Sequence, residues 1–88
     1  MFQELENGSD FDFMLIHMIG VDCAGHTFGS KHPEIERKLR ENEARIKKVI
    51  EMMDEKTTLM VFGDHGLTTN GDHGVNSLQE MRTAMFTY

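Results

Sequence analysis

Two Asp-His pairs, Asp64-His65 and Asp72-His73, lie in one short segment, and glycines flank both pairs. Carboxylate oxygen and imidazole nitrogen together suit a borderline divalent ion such as zinc or manganese. Glycine on both sides lets the backbone come close to a bound ion or phosphate. A single pair would more often belong to a hydrated surface loop, but a second pair so close weakens that alternative. Residues 63–74 are therefore a candidate metal-binding segment, called the His loop below.

An apolar run precedes each set of candidate ligands. The nearly continuous run Phe11–Val21 predicts a buried strand of a parallel sheet. Asp22 and His26 follow it, at the start of a loop predicted over residues 22–32. The β-prone run Thr57–Phe62 predicts a second strand immediately before the His loop.

The segment between these two strands predicts a long helix, from Pro33 to about Asp54. Proline suits the first helical position, where its missing N–H costs nothing. An apolar stripe at helical spacing follows, formed by Ile35, Leu39, Ile46, Val49, Ile50 and Met53. Strand, helix and strand make a βαβ unit, which is right-handed and parallel by default. Residues 7–10 read as a turn, 77–82 as a short helix or irregular segment, and 83–88 as a third strand.

The predicted topology brings the candidate ligands together. Ligands of parallel α/β sheets bind beyond the carboxyl ends of the strands, so both sets should emerge at one edge of the sheet. His73 can fold back to the same place from further along the His loop. The candidate metal ligands are Asp22, His26, Asp64, His65 and His73. They are too many for one tetrahedral zinc and suit two divalent ions roughly 3.5–4 Å apart, as used in phosphoryl transfer. Coincidence among the histidines is the alternative.

Composition and size limit the other possibilities. A formal net charge of −6 argues against a nucleic-acid partner. The single cysteine, Cys23, excludes an internal disulfide. The sequence shows no signal peptide and no apolar run long enough to span a bilayer. One helix can cover only one face of a parallel sheet. We therefore expect residues 1–88 to be a partial catalytic domain and not a complete one.

The motifs resemble those of a known family. They are Gly20-Val21-Asp22, Gly25-His26, Gly63-Asp64-His65-Gly66 and Gly71-Asp72-His73-Gly74. Together they look like the alkaline phosphatase superfamily, and within it the glycosylphosphatidylinositol (GPI) ethanolamine phosphate transferases. The segments 10–26, 31–34 and 63–77 look most like the type that acts on the third mannose. The resemblance covers nearly the whole chain.

The resemblance implies a fold and a set of site residues. The fold would be an alkaline-phosphatase-like α/β domain with a parallel sheet, of which this chain is the C-terminal part. Asp22, His26 and His73 would hold one zinc ion, and Asp64 and His65 the other. The nucleophile would lie upstream of this chain. Two further residues could support the ligands: His32 is a loop or cap residue or a support for His26, and Asp72 orients an imidazole or is solvated.

The resemblance also implies a reaction. Phosphatidylethanolamine would donate phosphoethanolamine to a mannose of the GPI-anchor precursor, on the lumenal side of the endoplasmic reticulum membrane, and a membrane partner subunit would be compatible with this. One alternative is a phosphodiesterase or nucleotide pyrophosphatase of the same superfamily. Another is an inactive truncated fragment. In either case, we expect the isolated chain to lack activity even if the full-length parent is an enzyme.

Overall fold

The computed structural model describes Leu5 and residues 11–88. Three helices and two short strands follow one another within 11–88: α1 (Gly20–Phe28), α2 (Pro33–Met52), β1 (Met60–Phe62), α3 (Leu78–Met81) and β2 (Met85–Thr87). α1 packs against α2, and β1 pairs with β2. The turn predicted at residues 7–10 lies outside the described residues.

The long helix α2 forms as predicted and ends two residues before the expected Asp54. His32 is its N-cap: the Nδ1 atom of His32 accepts a hydrogen bond from the backbone N–H of Glu34 at 3.1 Å. The ring of His32 also stacks on Phe28, with ring centroids 4.5 Å apart. A capping side chain satisfies a backbone donor that the first helical turn leaves open. His32 therefore acts as the predicted cap and joins the end of α1 to the start of α2.

The exposed face of α2 carries ion pairs between side chains one turn apart. Arg37 contacts both Glu34 and Glu41, and Arg40 contacts Glu36 at 2.7 Å. The hydrogen bond from Arg37 is the largest cause of the lowered pKa of Glu34. Pairs at this spacing stabilise a helix only slightly when water surrounds them. These ion pairs therefore contribute little to the stability of α2.

The strand predicted at Phe11–Val21 is not present. Residues 11–19 have no regular structure, and Phe13 and Leu15 are 81% and 76% exposed. Residues 20–28, which include most of the predicted loop 22–32, form α1 instead. A short apolar run cannot by itself distinguish a buried strand from a helix. A strand also needs a neighbour for its backbone hydrogen bonds, and no strand within residues 11–88 pairs with 11–19.

The other two predicted strands form in shortened versions and pair with each other. β1 and β2 are antiparallel, with Met60 opposite Thr87 and Phe62 opposite Met85. The predicted parallel βαβ arrangement is therefore wrong for the described part of the chain. The reason is that the first strand of the predicted unit, Phe11–Val21, does not form, so within residues 11–88 the only strand that pairs with β1 is β2. The architecture is a small mixed α and β fold with a two-stranded sheet.

A capping box begins α3. The Ser77 hydroxyl accepts from the Glu80 N–H, and the Glu80 carboxylate accepts from the Ser77 N–H and hydroxyl. Glu80 is only 4% exposed and also accepts from the N–H of Val75 at 2.9 Å. These hydrogen bonds lower the pKa of Glu80 from its ordinary value of 4.5, with the Ser77 hydroxyl as the largest cause and the Val75 N–H next. The charged form of Glu80 thus organises residues 75–80.

Acid is expected to open this segment. Because the pKa of Glu80 is lower in the folded chain, its contribution to stability is complete above pH 4.5 and is lost as the pH falls through the folded-state value. Hydrogen exchange of the amides of Val75 and Glu80 should accelerate below that pH relative to amides of α2. In Glu80→Gln the acid-dependent acceleration should disappear, while Glu55→Gln, an exposed acid in a turn, should keep it. Equal acid sensitivity in both variants would contradict this role.

Few residues are buried. Within 11–88, the buried ones are Ala24, Gly25, Gly71 and Glu80. Two of them belong to α1 and one to the His loop, so the most tightly packed place is the contact between these two elements. No helix in the described part is both long and apolar enough to cross a membrane.

Candidate metal centre

Two glycines bring α1 and the His loop into backbone contact. Gly71 has a positive φ of +82°, and a Cβ atom at this position would collide with the carbonyl oxygen of Gly25. A Cβ atom on Gly25 would lie 2.9 Å from Cδ1 of Leu67. A side chain at Gly71 would require a shift of the backbone, and one at Gly25 would require the Leu67 side chain to move. The glycines of the two motifs therefore set how closely the loop approaches the helix.

Hydrogen bonds hold the His loop in this place. The Ser30 N–H and hydroxyl both donate to the carbonyl of Thr69, at 3.2 and 3.0 Å. Within the loop, the Thr68 N–H donates to the carbonyl of Asp72 at 3.0 Å, and the Asp72 N–H donates to the Thr68 hydroxyl at 3.1 Å. The Gly71 N–H donates to the carbonyl of Thr68 at 2.9 Å. These bonds close residues 68–72 into a compact turn.

The glycine contact predicts a large cost for a single methyl group. In Gly71→Ala the free energy of unfolding should fall through backbone strain, by about 1–3 kcal/mol, and through overpacking against Gly25, by about 1–3 kcal/mol more. Gly74→Ala is the matched control, because Gly74 also has a positive φ, of +109°, but nothing lies within 4 Å of its Cβ position. Denaturant unfolding of both variants measures the difference, and equal losses would contradict a tight Gly25–Gly71 contact.

Asp22 lies at the centre of the candidate ligands. Its Oδ1 atom is 3.1 Å from Nε2 of His73 and 3.9 Å from Nε2 of His65. One ligand atom from each of these three residues falls within 4.8 Å of the others. The rings of His65 and His73 stack, with centroids 3.9 Å apart. Residues far apart in the sequence thus converge on one carboxylate.

His26 faces the other oxygen of the same carboxylate. Its Nε2 atom lies 3.4 Å from Oδ2 of Asp22, and its ring centroid is 5.0 Å from that of His73. Asp22 and His26 are one turn apart on α1, so they share a helix face. A loop, as predicted for residues 22–32, would not fix the relative positions of Asp22 and His26. The helix α1 does fix them, so the structure corrects the predicted loop.

Asp64 is at the edge of this group. Its Oδ1 atom accepts a hydrogen bond from the N–H of His65 at 3.1 Å and lies 3.8 Å from Nε2 of His65. Its side chain is 70% exposed. All of the predicted ligands therefore lie in one region, but the tightest group joins Asp22 to His65 and His73. The grouping that the resemblance implies, Asp22 with His26 and His73 and Asp64 with His65, stays a prediction.

The donor set fits a zinc ion. Carboxylate and imidazole are zinc ligands, and with bonds of about 2.0–2.1 Å two ligand atoms on one tetrahedral zinc lie roughly 3.3 Å apart. The separation between Asp22 and His73 is 3.1 Å. In addition, Oδ1 of Asp22 is buried and accepts no hydrogen bond. A buried oxygen without a partner is costly, and a cation at this position would supply one.

The tautomer of His65 also suits a ligand. Its Nδ1 atom lies 2.8 Å from the carbonyl oxygen of Gly66. A carbonyl can only accept, so Nδ1 carries the proton and Nε2 keeps its lone pair. That lone pair is on the nitrogen nearest to Asp22. Backbone carbonyls orient metal-bound histidines in this way.

The two residues proposed as supports take different positions. His32 caps α2, as described above. Oδ1 of Asp72 lies 3.5 Å from Nδ1 of His26, and not against its neighbour His73. The two ligand-bearing elements are held together by residues that the sequence motifs do not single out for this role: Gly25, Ser30, Thr68 and Gly71. For the two glycines, the available signal was their place next to a histidine motif.

Comparison with known proteins finds one matching family and several named relatives. The sequence pattern of the family described as "Type I phosphodiesterase / nucleotide pyrophosphatase" matches residues 2–85. The chain is 40% identical over 88 residues to the human "GPI ethanolamine phosphate transferase 3, catalytic subunit" and 42% identical to the mouse protein of the same name. It is 35% identical over 80 residues to "GPI ethanolamine phosphate transferase 3" of Schizosaccharomyces pombe. These findings confirm the resemblance noted from the motifs.

The alignments cover the chain and only a small part of its relatives. They include 100% of this chain and 8% of the human and mouse proteins, and 91% of this chain and 9% of the fission yeast protein. No solved structure matches.

Proposed function

The chain belongs to the type I phosphodiesterase / nucleotide pyrophosphatase family, within the alkaline phosphatase-like superfamily, and on this basis we propose that the whole protein is a GPI ethanolamine phosphate transferase. The observation that carries the proposal is the similarity over the full length of the chain to relatives of that name. The donor in this proposal is phosphatidylethanolamine, and the acceptor is a mannose of the GPI-anchor precursor, the third one by analogy with the type. Residues 1–88 would be the C-terminal part of its catalytic domain.

The site in this proposal holds two divalent ions, and we propose zinc for both. When bound, the ions would stabilise the negative charge that builds on the phosphodiester oxygens during displacement. Asp22, His26 and His73 would hold one ion, and Asp64 and His65 the other. The central position of Asp22 supports the alternative that its carboxylate serves both groups, because Oδ1 faces His65 and His73 while Oδ2 faces His26.

The chain's own residues supply binding and orientation. The hydrogen bond from His65 to the Gly66 carbonyl keeps Nε2 of His65 available as a ligand. α1 holds Asp22 and His26 at a fixed spacing, and the Gly25–Gly71 contact holds the His loop against them. None of these residues is the nucleophile in this proposal. The nucleophile belongs to another part of the whole protein, and we propose that the isolated chain has no transferase activity.

The test of the proposal is a transfer assay with the whole protein. Phosphatidylethanolamine labelled in its ethanolamine and a GPI precursor with its mannoses would be supplied together, in membranes of the endoplasmic reticulum. The proposal expects label on a mannose of the precursor, and no label transfer by the isolated chain. Release of free phosphoethanolamine without transfer to the precursor would contradict the transferase assignment. Activity that depends on a second membrane protein would identify the partner subunit that we propose.

A hydrolase is the second candidate, because the family that matches is described by phosphodiesterase and nucleotide pyrophosphatase activity. The same metal ligands would serve both reactions, since the acceptor, a sugar hydroxyl or water, is chosen elsewhere in the pocket. Hydrolysis of a nucleotide diester by the whole protein, at a rate above that of mannose transfer, would favour this candidate.

A further inference from the structure

Asp72 has a contact that the proposed reaction does not use. Its Oδ1 atom lies 3.5 Å from Nδ1 of His26, on the opposite side of the imidazole from Asp22. Nε2 of the same ring lies 3.4 Å from Oδ2 of Asp22. His26 is therefore placed between two carboxylates, one on each nitrogen. A neutral imidazole has one proton for these two nitrogens, so one of them must keep its lone pair.

The backbone places Asp72 beside His26 with little freedom. Gly25 precedes His26, Gly71 precedes Asp72, and these two glycines are the pair that touch. The turn 68–72 then fixes the backbone of Asp72 through both its N–H and its carbonyl, which bond to Thr68. The contact therefore rests on the same packing that joins α1 to the His loop. The Asp72 carboxylate, whose side chain is 70% exposed, reaches Nδ1 of His26 from this fixed backbone position.

His65 shows a related arrangement with a backbone carbonyl. Its Nδ1 atom lies 2.8 Å from the Gly66 carbonyl oxygen, and its Nε2 lies on the side of Asp22. In His26, the Asp72 carboxylate lies on the Nδ1 side at the longer distance of 3.5 Å, and Nε2 again lies on the side of Asp22. A carboxylate at the outer nitrogen fixes the tautomer of a metal-binding histidine and makes it a stronger ligand.

We propose that Asp72 is a positioning residue that keeps the proton of His26 on Nδ1, so that Nε2 serves as a metal ligand. The proposal rests on the metal site proposed above. It adds an indirect member to that site, and it assigns Asp72 to His26 and not to its sequence neighbour His73. Asp72 touches neither the substrate nor the ion in this role.

The first test measures zinc affinity of the full 88-residue chain by competition with a chelator dye. Loss of an indirect partner typically weakens metal binding by about 10–100-fold, and Asp72→Ala should show a loss in this range. Asp72→Asn keeps a hydrogen-bond acceptor but loses the charge, so its zinc affinity should fall less than that of Asp72→Ala. Asp72→Glu keeps the charge, so its zinc affinity should lie between those of Asp72→Ala and the parent chain. Glu55→Gln is the control, since it removes one negative charge from an exposed turn and should bind zinc as the parent chain does.

The second test observes the imidazole directly, with no metal present. Nitrogen-15 NMR of the His26 ring should report a proton on Nδ1 in the parent chain and a mixture of tautomers in Asp72→Ala. A change confined to general stability would leave this signature unaltered. If the parent chain binds zinc while Asp72→Ala shows unchanged affinity and an unchanged tautomer, the inference about Asp72 is wrong and the metal site stands. If the parent chain binds no zinc, the metal site fails, and an unchanged tautomer would then reject the contact as well.

Discussion

Replacing Asp22 with asparagine is expected to weaken zinc binding by more than about 100-fold, because even indirect partners of a metal site are worth 10–100-fold. We expect the largest loss of zinc affinity for a substitution of Asp22, since its two oxygens face His26, His65 and His73. Asparagine keeps the shape but removes the charge. Competition with a chelator dye measures the effect, and Glu55→Gln controls for the lost charge.

The same substitution should act differently on the metal-free chain. Oδ1 of Asp22 accepts no hydrogen bond and the side chain as a whole is 36% exposed, so the metal-free fold gains little from this carboxylate. The free energy of unfolding of metal-free Asp22→Asn should therefore be close to that of the parent chain. Zinc at 100 times its dissociation constant should stabilise the parent chain by about 2.7 kcal/mol and the variant by far less. Equal stabilisation of both would show that Asp22 is not a ligand.

The second large effect concerns the transfer reaction that we propose for the whole protein. Chelation of its metal, or replacement of His73 with alanine, is expected to reduce the rate of phosphoethanolamine transfer by at least about 1,000-fold. The reason is that metal ions contribute several kcal/mol of charge stabilisation, and each 1.36 kcal/mol is a factor of ten in rate. Added zinc should restore the chelated enzyme and not the His73→Ala variant. The exposed control Glu55→Gln should keep full activity. Transfer that persists in the presence of strong chelators would rule out a metal-dependent mechanism.

Local signals in the sequence predicted part of this fold well. Pro33 and the apolar stripe that follows it predicted α2 to within two residues of its observed end. The β-prone segments 57–62 and 83–88 contain β1 and β2. These elements have signals that their own residues provide: a proline at the first helical position, a helical period and a β-branched or aromatic run. From the sequence, residues 77–82 are either a short helix or an irregular segment. The capping box between Ser77 and Glu80 explains why the helix forms.

What the sequence did not predict depends on contacts between distant residues. The run Phe11–Val21 has the composition of a buried strand, but 11–19 has no strand beside it in the described structure, and 20–28 is a helix. The antiparallel pairing of β1 with β2 depends on how residues 63–84 return the chain to β1, which the strand sequences do not specify. The convergence of Asp22 with the His loop was predicted for a different reason, a shared edge of a parallel sheet. In the structure, a glycine contact between α1 and the loop produces it.

The grouping of ligands shows the same limit. Residue types and spacing predicted which side chains would meet, because carboxylate and imidazole next to glycine are typical of metal sites. They could not predict that Nε2 of His65 would lie at nearly equal distances from Asp22 and Asp64, 3.9 and 3.8 Å, since this depends on ring orientations. The hydrogen bond from His65 to Gly66 fixes one of these orientations.

The measurement that tests the central claim most directly is the zinc content of the purified chain, determined by elemental analysis beside His73→Ala and Glu55→Gln. We expect at least one equivalent of zinc in the parent chain and in Glu55→Gln, which changes an exposed turn outside the His loop. We expect less than half of that in His73→Ala, because Nε2 of His73 lies 3.1 Å from Asp22 in the parent chain. A folded parent chain without zinc, or equal zinc in all three proteins, would contradict the metal centre proposed here.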